Sequence, residues 1–251
     1  MIDPLASSPK PSLPPLRHTL IGAALQLVPP APGMIAAALK SAPRGDGHPV
    51  LVVPSFLRSD LNTIALRRFL AGCGYRVYGW KLGVNIGPTA GALAGIERQL
   101  AEIRARHGRK VTLIGHSLGG VLARELAKKR PDCVRQLILL ATPIRLPTAS
   151  PLEGVYKLLS PWHSIDAEVE RDALNRPPDV PVTAIYTKSD GILAWGTCRE
   201  FEGPARESIE VKGAHGTMVR NRAAWRIVAE RLAQPEGAWR PRPHAPHRQP
   251  G

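Results

Sequence analysis

Cysteine is scarce in this chain. Cys73, Cys133 and Cys198 are the three among 251 residues. They form no C-x-x-C pair, their wide spacing suggests no metal site, and an odd count gives no disulfide framework. That pattern fits a reducing compartment, and a cytoplasmic location is expected. Long apolar runs are missing too. No stretch reaches the roughly 18 residues that a membrane-spanning helix needs, so the sequence predicts a soluble protein. Internal repeats are absent, and no RNA- or DNA-binding motif appears.

What is present begins with charge. Lys and Arg exceed Asp and Glu by 14. The basic residues do not form one block. Arg98, Arg104, Arg106, Arg109 and Lys110 make one group, and Arg124, Lys128, Lys129 and Arg130 another, with Glu97, Glu102 and Glu125 among them. Both fall on polar faces of expected helices, which reads as a solvated Arg-rich surface, with no nucleic-acid partner. An anionic membrane surface is the other reading, and peripheral membrane contact stays open. The apolar run Thr19–Val28 follows Lys10, Arg17 and His18, an order with a faint likeness to a signal peptide. Asp3, the prolines and Gln26 count against that. The alternative is a helix packed on the outside of the domain.

The chain divides into three expected parts. Residues 1–15 hold five prolines and little apolar content, so disorder is expected there. Residues 16–234 form the folded domain, and the tail 235–251, rich in Pro, Arg and His, is expected to be unstructured. Helices are expected over 16–28 and 33–41. Pro49–Val53 is a short apolar run suited to a buried parallel strand. Asp60 is placed as the cap of a helix running to about Ala71. Strands follow at Tyr75–Trp80, Val111–Ile114, Val134–Leu140, Val182–Tyr186 and, more weakly, Ser208–Val211. The intervening helices are Thr89–His107, where Leu93, Ile96, Leu100 and Ile103 recur at helical spacing, and Ser117–Arg130. Thr217–Leu232 is the last. This rhythm predicts an α/β fold, a mostly parallel doubly wound sheet with helices on both faces. Residues 143–180 break the rhythm and are expected to be a lid insertion.

One constellation carries chemistry. Gly115-His116-Ser117-Leu118-Gly119 matches G-x-S-x-G and lies between an expected strand and an expected helix. In that context the serine sits on a sharp turn, with glycines removing the side chains that would clash across it. A serine hydroxyl needs a histidine to take its proton and a carboxylate to orient that histidine. Four histidines follow Ser117. His244 and His247 lie in the tail and His163 in the lid. His215 stands just after the last strand, flanked by Ala214 and Gly216. For the acid, Asp190 follows the strand Val182–Tyr186, where carboxylates face a crevice at the sheet's carboxyl edge. Ser189-Asp190-Gly191 is also good turn chemistry, and Asp166, Asp172 and Asp179 are the other candidates. The two backbone donors for an oxyanion are assigned to Leu118 and Phe56 N–H, with the Ser55 hydroxyl either a third donor or a turn-closing group.

These segments together resemble the α/β-hydrolase superfamily, on its bacterial esterase and lipase side. The resemblance rests on Val52-Val53-Pro54-Ser55-Phe56, Gly74-Tyr75-Arg76-Val77, Gly115-His116-Ser117-Leu118-Gly119-Gly120, Lys188-Ser189-Asp190-Gly191 and Ala214-His215-Gly216. Gly79-Trp80-Lys81-Leu82-Gly83-Val84-Asn85 and Gly87-Pro88-Thr89 look like bacterial members with no assigned substrate. The likeness spans about residues 48–233. It implies a serine hydrolase with an oxyanion hole and no cofactor or metal. Where related lipases carry His-Gly or Pro-Gly before the oxyanion residue, this chain has Ser55.

The expected function is hydrolysis of a small-molecule or lipid ester, or thioester, with an apolar acyl chain. Ser55, Leu57, Leu159, Trp162 and Trp195 are the candidate substrate-binding residues. Acyl transfer or polyester cleavage by the same residues is the alternative within enzymes. A non-catalytic scaffold on anionic membranes is the alternative outside them.

Overall fold

The computed structural model describes residues 12–27, 31–145, 150–152, 154, 158, 176–201 and 203–242. Two short helices lead, α1 (Leu16–Leu27) and α2 (Met34–Leu39). Then come β1 (Pro49–Val53), α3 (Asp60–Gly72), β2 (Arg76–Gly79), α4 (Ala90–His107), β3 (Val111–His116), α5 (Leu118–Lys129) and β4 (Val134–Leu140). After the segment leaving β4 follow β5 (Val182–Tyr186), β6 (Arg206–Glu210) and α6 (Arg222–Leu232). Short 3-10 helices stand at Trp195–Cys198 and His215–Arg220.

The six strands form one parallel sheet in the order β2-β1-β3-β4-β5-β6. Alternate side chains of each strand enter two separate cores. On one face Val50, Val52, Ile114, Ile138 and Ile185 pack against α3 and α6, where the Phe69 and Trp225 rings stack 4.9 Å apart. On the other, Leu51, Val53, Leu113, Leu137 and Val182 pack against α4 and α5. A sheet covered on both faces must be apolar on both, which is why β1, β3, β4 and β5 are buried at every position. Each fully buried large apolar side chain stabilises the fold by about 1.5–3 kcal/mol relative to exposure. The edge strand β6 carries Arg206, Glu207 and Glu210, and charge at an edge discourages pairing with another chain.

Several boundaries differ from the sequence expectation, each for a local reason. Ser59, not Asp60, is the cap residue of α3. The Asp60 carboxylate instead accepts from Trp80 and Lys81 N–H, both at 2.9 Å, joining the start of α3 to the end of β2. The expected helix 217–232 is two elements. Asn221 separates them, and its Oδ1 accepts from Ala223 and Ala224 N–H to cap α6. The last strand lies at 206–210 rather than 208–211. Residues 235–242 carry no helix or strand, yet Arg242 N–H donates to Glu207 and Arg240 N–H to Gln234. Residues 1–11, 243–251 and most of the expected lid lie outside the described residues.

A charged cluster seals the amino edge of the sheet. The Asp46 carboxylate accepts from Arg109 and Arg135, and His48 is set between Asp46 and Thr112, with its Nε2 3.0 Å from Thr112 Oγ1. His48 and Thr112 are both fully buried. This Asp–His–hydroxyl arrangement is closed to any substrate, and burial pushes the His48 imidazole down to about 4.

Candidate active site

Strand order fixes where a site can form. The chain runs from β1 outward to β2, then returns past β1 to β3. The loops leaving β1 and β3 therefore diverge at a switch point, and in open parallel sheets that leaves a crevice at the carboxyl edge. Val53 pairs with Gly115 in register. Pro54-Ser55-Phe56 and Ser117-Leu118 thus emerge side by side.

Ser117 joins β3 to α5 with φ 53° and ψ −125°, a conformation costly for a side-chain-bearing residue, of order 1–3 kcal/mol. Its neighbours hold it there. Ser117 N–H donates to Leu140 O at 2.9 Å, continuing the β3–β4 ladder, and Ser117 O accepts from Gly120 N–H at 2.8 Å. A Cβ on Gly115 would strike the Cα of Gly120, one on Gly119 the Pro54 carbonyl oxygen, and one on Gly120 the Thr142 side chain. The glycines therefore allow helix α5 to start in contact with the end of β1. Leu118 is the first residue of α5, so its N–H has no carbonyl one turn earlier in the helix to bond.

Asp190 and His215 come together beneath the same edge. Asp190 is 2% exposed; its Oδ2 accepts from His215 Nδ1 at 2.7 Å. Its Oδ1 accepts from Ile192 and Leu193 N–H, both at 2.8 Å. Such bonding holds a carboxylate in one orientation. Thr187 ties the acid loop to the histidine loop through a 3.1 Å bond from its Oγ1 to Gly213 O. His116 links the histidine loop to the elbow. It is buried beside Ser117, its Nε2 donates to His215 O at 2.9 Å, and the two rings lie 5.3 Å apart. Burial, and then the neighbouring His215 ring, push the His116 imidazole down to about 3, so it stays neutral.

The loop after β1 is more strongly held than the sequence suggested. Arg58 N–H donates to Ser55 O at 3.1 Å, closing a turn with Leu57 at φ 56°. That bond orients the Ser55–Phe56 peptide, and so the direction of Phe56 N–H. Ser55 is buried, and the backbone, not its hydroxyl, closes the turn. Asn85 clamps the whole loop. Leu57 N–H donates to Asn85 O at 2.7 Å, Asn85 N–H to Arg58 O at 2.9 Å, and Asn85 Nδ2 to Pro54 O at 2.8 Å. Its Oδ1 accepts from Gly87 N–H at 3.1 Å. Sequence reasoning took Asn85 only as part of a resembling stretch. A lone asparagine amid glycines and a proline was the available signal, and it pointed equally to an ordinary turn.

Of the proposed substrate-binding residues, Leu57 and Trp195 are partly exposed at this end, and Trp195 stacks on Tyr186 at 5.8 Å. Leu159 and Trp162 lie outside the described residues. A buried ion pair braces the back of the elbow helix. Arg124 of α5 meets Glu200, both side chains fully buried, and Glu200 also accepts from Phe201 N–H. Among the described residues no cluster of three or more His, Cys, Asp or Glu could hold a metal ion.

A family model described as "Serine aminopeptidase, S33" matches residues 88–183, a span that contains Ser117 but ends before Asp190 and His215. No curated protein matches the chain. Solved structures do. One of two metagenome-derived lipolytic enzymes is 16% identical with a TM-score of 0.55, over 76% of this chain and 93% of that one. A monoacylglycerol lipase from Paleococcus ferrophilus is 18% identical, TM-score 0.52, over 76% and 96%. A pyrethroid hydrolase from Sphingobium faniae JZ-2 is 19% identical, TM-score 0.51, over 74% and 97%. At these identities the likeness is one of fold. The fold that the chain shares with them is the α/β-hydrolase fold.

Proposed function

We propose that the chain is a serine hydrolase of carboxylic esters or thioesters, with Ser117 as nucleophile, His215 as base and then acid, and Asp190 as its orienting carboxylate. The observation that carries this reading is the buried 2.7 Å Asp190–His215 bond, set at the same sheet edge as a serine in a strained strand-to-helix turn. With Nδ1–H donated to Asp190, the imidazole keeps its Nε2 lone pair for the serine proton. Ser117 Oγ attacks the acyl carbon, its proton passes to His215 Nε2, and Leu118 and Phe56 N–H hold the oxyanion. The leaving alcohol or thiol takes the proton from His215, and water then releases the acid by the same steps in reverse.

An ester fits better than a peptide N-terminus, despite the aminopeptidase description of the matched family model. An aminopeptidase needs a carboxylate to receive the substrate's ammonium group. Among the described residues at this end, each carboxylate is already engaged: Asp60 with two backbone N–H groups, Asp190 with His215, Glu200 with Arg124, and Glu210 with Lys188. The apolar acyl preference draws on Leu57 and Trp195 at the mouth, and on neighbours named for lipolytic activity. Parallel assays with p-nitrophenyl esters of rising chain length and with aminoacyl p-nitroanilides test the reading. Turnover of the esters alone, abolished in Ser117→Ala, is expected. Turnover of the anilides alone would replace it with a peptidase.

A further inference from the structure

Helix α1 is mounted the wrong way round for a packing helix. Three of its residues meet the protein: Thr19 Oγ1 donates to Gly191 O at 2.7 Å, the His18 backbone lies where a Cβ on Gly191 would fall, and Gly22 approaches Ala214. Its described large apolar residues face away. Leu16 is 71% exposed, Leu20 62% and Ile21 55%, with Leu13 just before the helix at 62%. The spacing of four puts Leu16 and Leu20 on one stripe of the helix, and Ile21 borders it. The helix rests on the loops of Asp190 and His215, at the carboxyl edge of the sheet.

Other exposed or partly exposed apolar side chains lie at the same edge. Leu57 and Leu61 follow β1, Val84 follows β2 and Trp195 follows β5. In an all-parallel sheet every such segment leaves from one end. Along α4, α5 and α6 no described residue is a comparably exposed large apolar side chain. Exposed apolar surface concentrated on one end marks an interaction site. Among the described residues at that end, Arg17 and Lys81 are exposed, and the carboxylates are engaged within the protein as noted above.

We propose that this end of the molecule docks on an anionic lipid surface, with α1 lying in the interface and the mouth between β1 and β5 facing the lipid. Leucines and an isoleucine at headgroup depth with arginine beside them are the chemistry of an interfacial helix. Each Lys or Arg held near an anionic leaflet strengthens association about fivefold. This docking does not depend on the ester chemistry, so it is tested on the Ser117→Ala protein.

Co-sedimentation with vesicles of phosphatidylcholine plus phosphatidylglycerol, and of phosphatidylcholine alone, is the measurement. Binding to the mixed vesicles is expected, weakened by salt and by omission of phosphatidylglycerol. The double variant Leu16→Glu/Leu20→Glu should reduce it more than about tenfold. Because both side chains point to solvent, thermal unfolding and, in the Ser117 background, turnover of a soluble short-chain ester should be unchanged. Arg17→Glu should weaken binding more than Arg106→Glu, which makes the same charge change at the opposite end. Absence of binding to either vesicle, equal binding by all variants, or equal effects of the two arginine changes would overturn the proposal. So would a dimer that the double variant dissociates with no vesicle binding, which would assign the face to a second copy of the chain.

Discussion

Replacing Asn85 by alanine removes two of four hydrogen bonds and leaves the other two in place. The backbone bonds from Leu57 and to Arg58 survive, so the loop after β1 stays attached. The side-chain bonds to Pro54 O and from Gly87 N–H are lost. Asn85 is fully buried, so these partners are left without a side-chain mate away from water. Each such buried group costs about 1–3 kcal/mol, giving a loss of about 2–6 kcal/mol in stability. The catalytic consequence follows from what Pro54 O anchors. Two residues on, Phe56 N–H is the proposed oxyanion donor, and losing one such donor outright costs about 10²–10³ in kcat. With the backbone bonds retained, a misaimed rather than lost donor predicts a fall in kcat of about tenfold to a hundredfold, with KM little changed. Asn85→Asp is the sharper variant. It keeps the acceptor for Gly87 but sets a carboxylate oxygen against the Pro54 carbonyl, so its kcat should fall at least as far. Steady-state kinetics on p-nitrophenyl butyrate, alongside urea unfolding, read both effects. A variant destabilised as expected but with unchanged kcat would refute the link between Asn85 and the oxyanion site.

Gly119→Ala should lower turnover more than about tenfold and destabilise by about 1–3 kcal/mol, because its Cβ meets rigid backbone at Pro54; wild-type kinetics would contradict this. Arg124→Leu should cost about 3–5 kcal/mol by leaving Glu200 charged and unpaired in the interior, and adding Glu200→Leu should recover part of it. Additive losses in urea unfolding would show that the pair is not coupled. Stability should also fall with acid before any carboxylate titrates. His116 is held down to about 3 against about 6.5 unfolded, so between those values the unfolded chain binds a proton that the native state does not. Moving from about pH 7 to about pH 5 should cost about 2 kcal/mol from His116, with a further loss in the same direction from buried His48. Unfolding midpoints that do not move across that range would refute the neutral, buried state of these rings.

The strands were legible because a sheet covered on both faces demands continuous apolar runs, and β1, β3, β4 and β5 supply them. The elbow was legible because close approach of α5 to β1 requires glycine at fixed positions around the serine. Asp190 and His215 were reached by chain order, and they meet in space although 25 residues apart. What escaped the sequence depends on tertiary partners. Asp60 was read as a helix cap because its residue type suits one, but the end of β2 takes both its oxygens. Arg124 read as a surface charge, and nothing local marks its pairing with Glu200, 76 residues on, as buried. The apolar run at 19–28 suggested a helix packed on the outside of the domain, and α1 lies there against the turn of His215, but which residues face outward, Leu16, Leu20 and Ile21, depends on that tertiary contact. Asn221 was a readable stop signal, overlooked inside what passed for one continuous helical pattern.

The central claim is that Ser117 is the nucleophile, and covalent labelling tests it most directly. The protein would be treated with an alkyl fluorophosphonate, whose phosphorus accepts the serine oxygen while fluoride leaves, and the adduct mapped by mass spectrometry. A single adduct on Ser117, formed much more slowly in His215→Ala, is the predicted result. No adduct, or one on another residue, would contradict the account.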